Sequence, residues 1–220
     1  MTTRPAPVHL KPPADDAREV VLERIRASLA DGPAPVAIPR DYDHGLPAVT
    51  DIVDLFVERV RDYRATVRRT SAVDLGATIA AILDERAAHR LVVPSGVPAE
   101  WLGAAAVVVV QDEPPLSHAD LDALDGVVTG CAVAIAETGT IVLDAGPGQG
   151  RRALSLLPDL HVCVVRVDQI VGSVPEAIGR LSPTRPLTWI SGPSATSDIE
   201  LQRVEGVHGP RLLDVVVVDD

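Results

Sequence analysis

The first residue type that could do chemistry is a carboxylate in a predicted turn. Glu137 stands directly before a Thr-Gly-Thr sequence and between two short apolar runs. A carboxylate at a strand end can act as a nucleophile or as a general base, whereas in a turn it can also be solvated or accept backbone hydrogen bonds. Glu137 is therefore the candidate catalytic residue, with Thr138, Gly139 and Thr140 as candidate ligand contacts beside it.

A glycine-rich segment, GPGQGRR at 146–152, follows the next apolar run. Glycines let backbone N–H groups approach an anion, and a helix start after them would add a positive partial charge. Gly150 and Arg151 are the candidate ligand contacts, and Arg152 is a second source of positive charge. The segment matches neither the P-loop nor the dinucleotide-binding pattern, and Gly-Pro-Gly also serves as an ordinary turn. Both interpretations stay open.

The segment GPSATSDIE at 192–200 is the densest in small and polar residues. Its hydroxyls, carboxylates and backbone N–H groups suit a loop folded around a ligand. The alternative is a helix start, in which a hydroxyl caps one helical turn and the acidic residues favour its N-terminus. The candidate ligand contacts in this segment are Gly192, Ser194, Thr196, Asp198 and Glu200.

The following segment, RVEGVHGPR, places Glu205 and His208 three residues apart. This spacing can bind a metal on a helix, but two glycines disfavour a helix here, so a hydrogen bond that orders the loop is the favoured interpretation. Arg211 would be a natural bidentate anchor for a carboxylate. Glu205, His208 and Arg211 are thus candidate ligand contacts, and we expect no metal site.

These segments lie between predicted strands and helices. Two amphipathic helices come first, and strand-like and helix-like patterns then alternate as far as the C-terminus. Such alternation predicts an α/β fold with a mostly parallel sheet flanked by helices. We expect a tail and helical extension over 1–64 and the α/β domain over 65–220. Single strands are predicted over 127–137 and 161–170, a short helix capped by Ser117 over 117–124, and a further helix over 150–158.

Parallel α/β sheets bind ligands in the crevice outside the carboxyl ends of their strands. The Glu137 turn, the glycine-rich segment and the 192–200 segment all follow predicted strands. The sequence therefore predicts that these distant turns meet around one hollow that accepts a small anion.

Composition excludes several classes of partner. The formal net charge is −11 with arginines scattered among acids, which disfavours nucleic acids and anionic membranes. The apolar runs are too short for membrane insertion, and the N-terminus lacks a signal-peptide core, so we expect a cytoplasmic protein. Cys131 and Cys163 form no CxxC pattern, so no iron–sulfur or zinc site is expected in this chain; both are expected to be buried thiols.

Two stretches, 134–166 and 190–211, together resemble the lactate-utilisation protein C family, which contains the LUD domain. The resemblance rests on the AETGT turn, the LSLLPDLHVCVV run and the GPSATSDIE…GVHGP block, in this order. It implies a fold similar to the ribose-phosphate isomerase, glucosamine-phosphate deaminase and CoA-transferase group. It also implies a role in bacterial oxidation of L-lactate to pyruvate, with two partner proteins that carry iron–sulfur clusters.

Three functions follow as hypotheses. The first is a non-redox subunit of a lactate-utilisation system, which binds a small anionic metabolite, iron–sulfur partner proteins or both, and has no cofactor of its own. The second is an autonomous acyl- or CoA-transferase-like enzyme, or a sugar-phosphate isomerase-like one, that uses Glu137; CoA-transferase relatives have a nucleophilic glutamate. The third is a regulatory or scaffolding module.

Overall fold

A computed structural model gives the three-dimensional structure and describes residues 14–30, 32, 36–41, 45, 51–196, 204–205 and 209–219. The chain divides into two compact units, 1–42 and 43–220. The first contains helix α1 (Ala14–Ser28), and all other described helices and strands belong to the second. No helix in the described ranges is both long and apolar enough to span a bilayer.

The larger unit contains four α-helices and twelve short strands among its described residues. The helices are α2 (Ile52–Asp62), α3 (Leu75–Glu85), α4 (His118–Asp122) and α5 (Val174–Arg180). The strands are β1 (Thr66–Ser71), β2 (Arg90–Val93), β3 (Val108–Gln111), β4 (Gly126–Thr129), β5 (Val133–Ile135), β6 (Thr140–Leu143), β7 (Leu160–Arg166), β8 (Ile170–Val171), β9 (Thr188–Ile190), β10 (Ala195–Thr196), β11 (Val204–Glu205) and β12 (Leu212–Asp219).

The main sheet has six strands in the order β1-β12-β7-β4-β2-β3, and every neighbouring pair in it is parallel. A second, four-stranded sheet has the order β8-β5-β6-β9, and β10 pairs with β11 as a separate antiparallel ribbon. The predicted α/β fold with a mostly parallel sheet is confirmed. The second sheet was not predicted.

Two predicted single strands are wrong in the same way, because each is divided between the two sheets. The 127–137 stretch forms β4 in the main sheet and β5 in the second, and the 161–170 stretch forms β7 and then β8. The 127–137 stretch has no charged residue before Glu137 because both sheets are buried, so hydrophobic patterning does not mark its change of sheet. In the 161–170 stretch the change coincides with the polar residues Arg166, Asp168 and Gln169. Gln169 links the two places where the chain passes between the sheets. Its Nε2 donates to the Cys131 carbonyl at 2.7 Å, and its Oε1 accepts from the Arg166 N–H at 3.0 Å.

The predicted helix over 150–158 is also wrong. Only a single 3₁₀ turn forms there, from Arg152 to Ser155. By contrast, α4 begins as predicted at Ser117, which forms a capping box with Asp120.

Helix α2 packs into the larger unit instead of forming part of a separate extension. Its N-cap Asp51 accepts hydrogen bonds from the N–H groups of Val53 and Asp54. Phe56 and Val60 on its inner face are fully buried in the aliphatic core that it shares with both sheets. The division into compact units falls between 42 and 43, and the domain boundary expected at 64/65 stays a prediction.

One buried carboxylate in the main sheet depends on an arginine from α3's C-terminal end. Asp214 on β12 is 1% exposed, and Arg86 binds it through Nε at 2.9 Å and a second nitrogen at 3.2 Å. Arg86 also donates to the Thr66 hydroxyl on β1 at 3.0 Å. Because a buried charge that loses its partner keeps its desolvation cost, Arg86 is needed for the stability of this sheet.

We expect Arg86→Met to lower the free energy of unfolding by about 3–5 kcal/mol, since it leaves the Asp214 carboxylate unpaired. The matched control is Arg68→Met, because the Glu85 partner of Arg68 is 59% exposed and surface pairs contribute about 1 kcal/mol or less. Urea unfolding of both variants measures the difference. Equal losses would contradict the account.

Candidate functional site

A pocket of about 220 Å³ opens beside the loop that follows β9. The loop 191–194 forms one wall, and residues of β9, the 3₁₀ turn and the start of β12 form the others. Apolar side chains contribute to the lining, among them Leu156, Ile190 and Leu213. A pocket with apolar walls and a few polar groups is the usual form of a small-molecule site.

The loop at 191–194 brings two predicted contacts, Gly192 and Ser194, to this pocket. Gly192 has φ of +80°, a backbone conformation that favours glycine. The N–H of Ser194 donates to the Pro210 carbonyl at 2.8 Å, which fixes the loop against the chain before β12. Gly192 and Ser194 therefore lie at the pocket, and their role as ligand contacts stays a prediction.

The predicted meeting of the Glu137 turn with this loop is seen in a chain of hydroxyls. Thr138 and Thr140 have their hydroxyl oxygens 2.7 Å apart, and the Thr140 hydroxyl lies 2.8 Å from that of Ser191. Ser191 lines the pocket. The turn therefore supports the rim of the pocket from outside.

Glu137 itself does not line the pocket. Its side chain is exposed, and its N–H donates to the Gly172 carbonyl at 3.0 Å. The turn between β5 and β6 rests on α2 at Gly139, where φ is +59° and an added Cβ would lie 2.7 Å from the carbonyl carbon of Arg59. Close packing on α2 accounts for the Thr-Gly turn, and a catalytic role for Glu137 stays a prediction.

The glycine-rich segment forms a turn. Three of its backbone N–H groups, which could otherwise bind an anion, donate to protein atoms. The N–H groups of Gly146, Gly148 and Gln149 donate to Asp144 Oδ1, the Ser95 carbonyl and the Gly146 carbonyl at 2.8–3.0 Å. Gly150 has φ of +69°, and an added Cβ there would meet Leu154 and Pro94. The described contacts support the turn interpretation over the anion-cradle interpretation.

Arg151 has a structural partner outside the pocket. Its guanidinium binds both oxygens of Asp112 at 2.7 and 2.9 Å and donates to the Leu116 carbonyl at 2.7 Å. The hydrogen bond with Arg151 lowers the pKa of Asp112 below its ordinary value. The next residue, Arg152, lines the pocket instead.

Arg211 forms an exposed ion pair with Asp159 on the surface. Its neighbours Gly209 and Pro210 line the pocket, whereas Arg211 does not. An anchoring role for Arg211 would require this ion pair to open.

Several predicted contacts lie in parts of the chain that are not described. Asp198, Glu200 and His208 are outside the described residues, and for Thr196 and Glu205 only the backbone is described. That backbone pairs as β10 and β11, so residues 195–196 form a strand and not a helical turn. Within the described part of the chain, no group of His, Cys, Asp and Glu side chains is arranged to hold a metal.

Sequence reasoning missed several pocket residues, and the buried ionisable one among them is His161. This histidine on β7 is 1% exposed, lines the pocket, and has its Nε2 2.8 Å from the Thr129 hydroxyl on β4. Its other ring nitrogen, Nδ1, is buried and has no hydrogen-bond partner. The sequence signal that could have identified His161 is its position as the one histidine in the apolar run LHVCVV.

The two cysteines are buried next to this histidine, as predicted. A hydrogen bond from Cys131 lowers the pKa of the Cys163 thiol to about 5, and hydrogen bonds from His161 and Thr129 act in the same direction. The same contact raises the pKa of Cys131, and burial raises it further. Cys163 Sγ accepts from the Thr129 hydroxyl and donates to the Gly130 carbonyl, both at 3.8 Å.

We expect Arg151→Ala to lower the free energy of unfolding by about 1–3 kcal/mol at pH 7, because it leaves the half-buried Asp112 carboxylate without its charged partner. A carboxylate with a depressed pKa stabilises the fold above its unfolded pKa of roughly 3.9, and this contribution is lost as the pH falls through the folded pKa. Urea unfolding should show the difference from wild type shrinking near pH 3. The control is Arg211→Ala, which breaks an exposed ion pair and should lower the free energy of unfolding by about 1 kcal/mol or less. If Arg151→Ala lowers the free energy of unfolding equally at pH 7 and near pH 3, the assignment is contradicted.

Comparisons with known proteins agree with this architecture. Residues 1–218 match the LUD domain family. The chain is 50% identical over 214 residues to Lactate utilization protein C of Deinococcus radiodurans, which covers 94% of this chain and 98% of that protein. The protein of the same name from Halalkalibacterium halodurans is 26% identical over 185 residues, or 77% of this chain and 80% of that one.

A solved structure is similar as well. The crystal structure of a DUF162 family protein from Deinococcus radiodurans superposes with a TM-score of 0.66 at 50% identity, covering 77% of this chain and 97% of that one. Because the family match extends over almost the whole sequence and the fold is shared, this chain belongs to the LUD domain family.

Proposed function

We propose that this protein is a component of a bacterial lactate-utilisation system and that it binds a small anionic metabolite in the pocket beside β9. The role in lactate utilisation is supported by the name of the relative that is 50% identical over nearly the full length of both chains. The proposed ligand is supported by the pocket, which combines an arginine, hydroxyl groups and apolar walls.

The observation that carries the ligand proposal is the position of Arg152. Its side chain lines the pocket, and no residue in the described ranges forms an ion pair with its guanidinium. A guanidinium binds a carboxylate through two parallel hydrogen bonds. Arg152 is therefore the proposed anchor of the anion, in place of Arg151, which is bound to Asp112.

The hydroxyls and the glycine loop would complete the site. Ser155 and Ser191 line the same pocket. The Ser155 hydroxyl donates to the Arg152 carbonyl at 3.2 Å and can still accept, whereas the Ser191 hydroxyl can donate to a ligand oxygen while it accepts from Thr140. Gly192 lets the loop pass close to the ligand because it has no side chain. The pocket of about 220 Å³ suits a metabolite of a few non-hydrogen atoms and not a coenzyme.

In this proposal the redox centres of the system lie on partner proteins with iron–sulfur clusters. The chain has two cysteines in all, and both are buried, whereas a cluster is usually held by four thiolates. The protein would supply the metabolite site and its partners the electron acceptors. The exposed Glu137 gives no support to an autonomous transferase or isomerase.

Calorimetric titration with L-lactate tests the anchor. We expect Arg152→Ala to weaken binding by about 1.5–3 kcal/mol, which is roughly 10- to 100-fold in Kd. Arg211→Ala and Arg151→Ala are the matched comparisons, since each removes a nearby guanidinium that binds an aspartate outside the pocket.

A greater loss of affinity in Arg211→Ala than in Arg152→Ala would transfer the anchor to Arg211. Absence of binding to L-lactate and to other small carboxylates in the folded wild-type protein would reject the ligand proposal itself.

A further inference from the structure

The two cysteines of the chain lie far apart in sequence and next to each other in the fold. Cys163 on β7 is paired with Thr129 on β4, and Cys131 follows Thr129 by two residues. Cys163 Sγ lies 3.8 Å from the carbonyl oxygen of Gly130, the residue directly before Cys131. Both side chains belong to one buried cluster, and the two thiols are hydrogen-bonded to each other. Two thiols in contact can be joined as a disulfide.

The two thiols together hold a single proton at neutral pH. The hydrogen bond from Cys131 lowers the pKa of Cys163 to about 5, and the same contact raises the pKa of Cys131. The proton that remains has an oxygen acceptor beside either sulfur, since Gln169 Oε1 lies 3.6 Å from Cys131 Sγ and the Gly130 carbonyl lies 3.8 Å from Cys163 Sγ. The thiolate is the reactive form of cysteine. The pair therefore differs from thiols that are merely buried, which stay protonated and inert.

A small pocket adjoins one member of the pair. Cys131 lines a pocket of about 190 Å³ together with the loops that follow β2 and β4. No described residue lines both this pocket and the one beside β9. Cys131 is 5% exposed, whereas Cys163 is 0% exposed. The pocket has room for a reagent of a few atoms and is too small for a coenzyme or a protein thiol, so a small reagent reaches the pair from the side of Cys131.

We propose that Cys131 and Cys163 form a redox site, at which a small peroxide oxidises the two side chains to an intramolecular disulfide. The disulfide would join the end of β4 to β7, close to the places where both strands leave the main sheet. This site is separate from the metabolite pocket and does not depend on the proposed function.

The oxidation is balanced by the peroxide alone. The Cys131 sulfur attacks one peroxide oxygen as its proton passes to Cys163, the O–O bond breaks, and a sulfenic acid and a hydroxide form. The hydroxide takes the proton from Cys163 and becomes water. The Cys163 thiolate then attacks the Cys131 sulfur and displaces a second hydroxide, which takes a proton from the solvent. The two sulfurs lose two electrons, and the peroxide is reduced to two water molecules.

Mass spectrometry of the reduced protein after treatment with hydrogen peroxide tests the site. The treated protein is denatured and alkylated with N-ethylmaleimide. We expect both cysteines to become resistant to alkylation, the intact mass to fall by two hydrogen atoms, and the peptides of Cys131 and Cys163 to be cross-linked within one chain. Dithiothreitol should reverse all three changes. Circular dichroism before and after treatment checks that the protein stays folded.

The pH dependence of the rate separates a pre-ionised pair from ordinary thiols. A cysteine with a pKa of about 8.5 reacts about tenfold more slowly for each pH unit below that value. Because the pair keeps its negative charge above the Cys163 pKa of about 5, we expect the rate of cross-linking to be nearly constant from weakly acidic to neutral pH. Free cysteine in the same peroxide solution is the control. A rate that falls in parallel with that of free cysteine would overturn the reactive pair.

Cys131→Ser and Cys163→Ser are the matched variants, and thermal unfolding shows whether each is folded. Each should form no intramolecular cross-link and no loss of two hydrogen atoms. In the wild type, two cysteines that both stay alkylatable after peroxide would overturn the redox site. A gain of oxygen atoms without a cross-link, or a disulfide between two chains, would overturn it as well. These outcomes leave L-lactate binding untouched, so the metabolite site is judged separately.

Discussion

The parallel pairing of β7 is the constraint on which the rest of the structure depends. This strand is hydrogen-bonded to β12 on one side and to β4 on the other, and six of its seven residues are buried. A polar side chain in such a strand can reach only atoms that the neighbouring strands provide. His161 reaches Thr129 on β4, its Nδ1 is buried without a hydrogen-bond partner, and the residue also lines the pocket. The placement of one polar residue in this strand thus links the packing of the sheet to the chemistry of the site.

The site also depends on the two places where the chain passes from the main sheet to the second sheet. Strands β4 and β7 both leave the main sheet near Gln169, which holds the two crossings together. The second sheet then carries β9, and the chain passes directly from it into the 191–194 loop. Ser191 connects this loop to the turn of the β5–β6 hairpin through Thr140. The pocket lies where the carboxyl end of β9 meets the amino-terminal parts of β7 and β12, and so it draws on both sheets.

Fold class and the position of the pocket loop were predictable because they depend on local patterns. Alternating strand and helix signals gave the parallel sheet, Ser117 marked the start of α4, and the small polar residues that include Gly192 and Ser194 marked the pocket loop. The change of sheet after Thr129 was not predictable, because apolar periodicity is the same on either side of it.

Assignments that depend on long-range partners could not be read from the sequence. Arg151 and Arg152 are adjacent and chemically identical, yet one binds Asp112, 39 positions away, and the other lines the pocket. The His161 interaction likewise requires a hydroxyl 32 positions away. The direction of each side chain follows from the 3₁₀ turn and from the strand register, which no short motif encodes.

Leucine methyl NMR during a titration with L-lactate tests the central claim most directly, because it reports where a small anion binds. The account predicts chemical-shift changes at Leu156 and Leu213, which line the pocket, and none at Leu121, which is fully buried in a separate cluster of the core. Saturating L-lactate that leaves the Leu156 and Leu213 methyl signals unmoved would contradict the account.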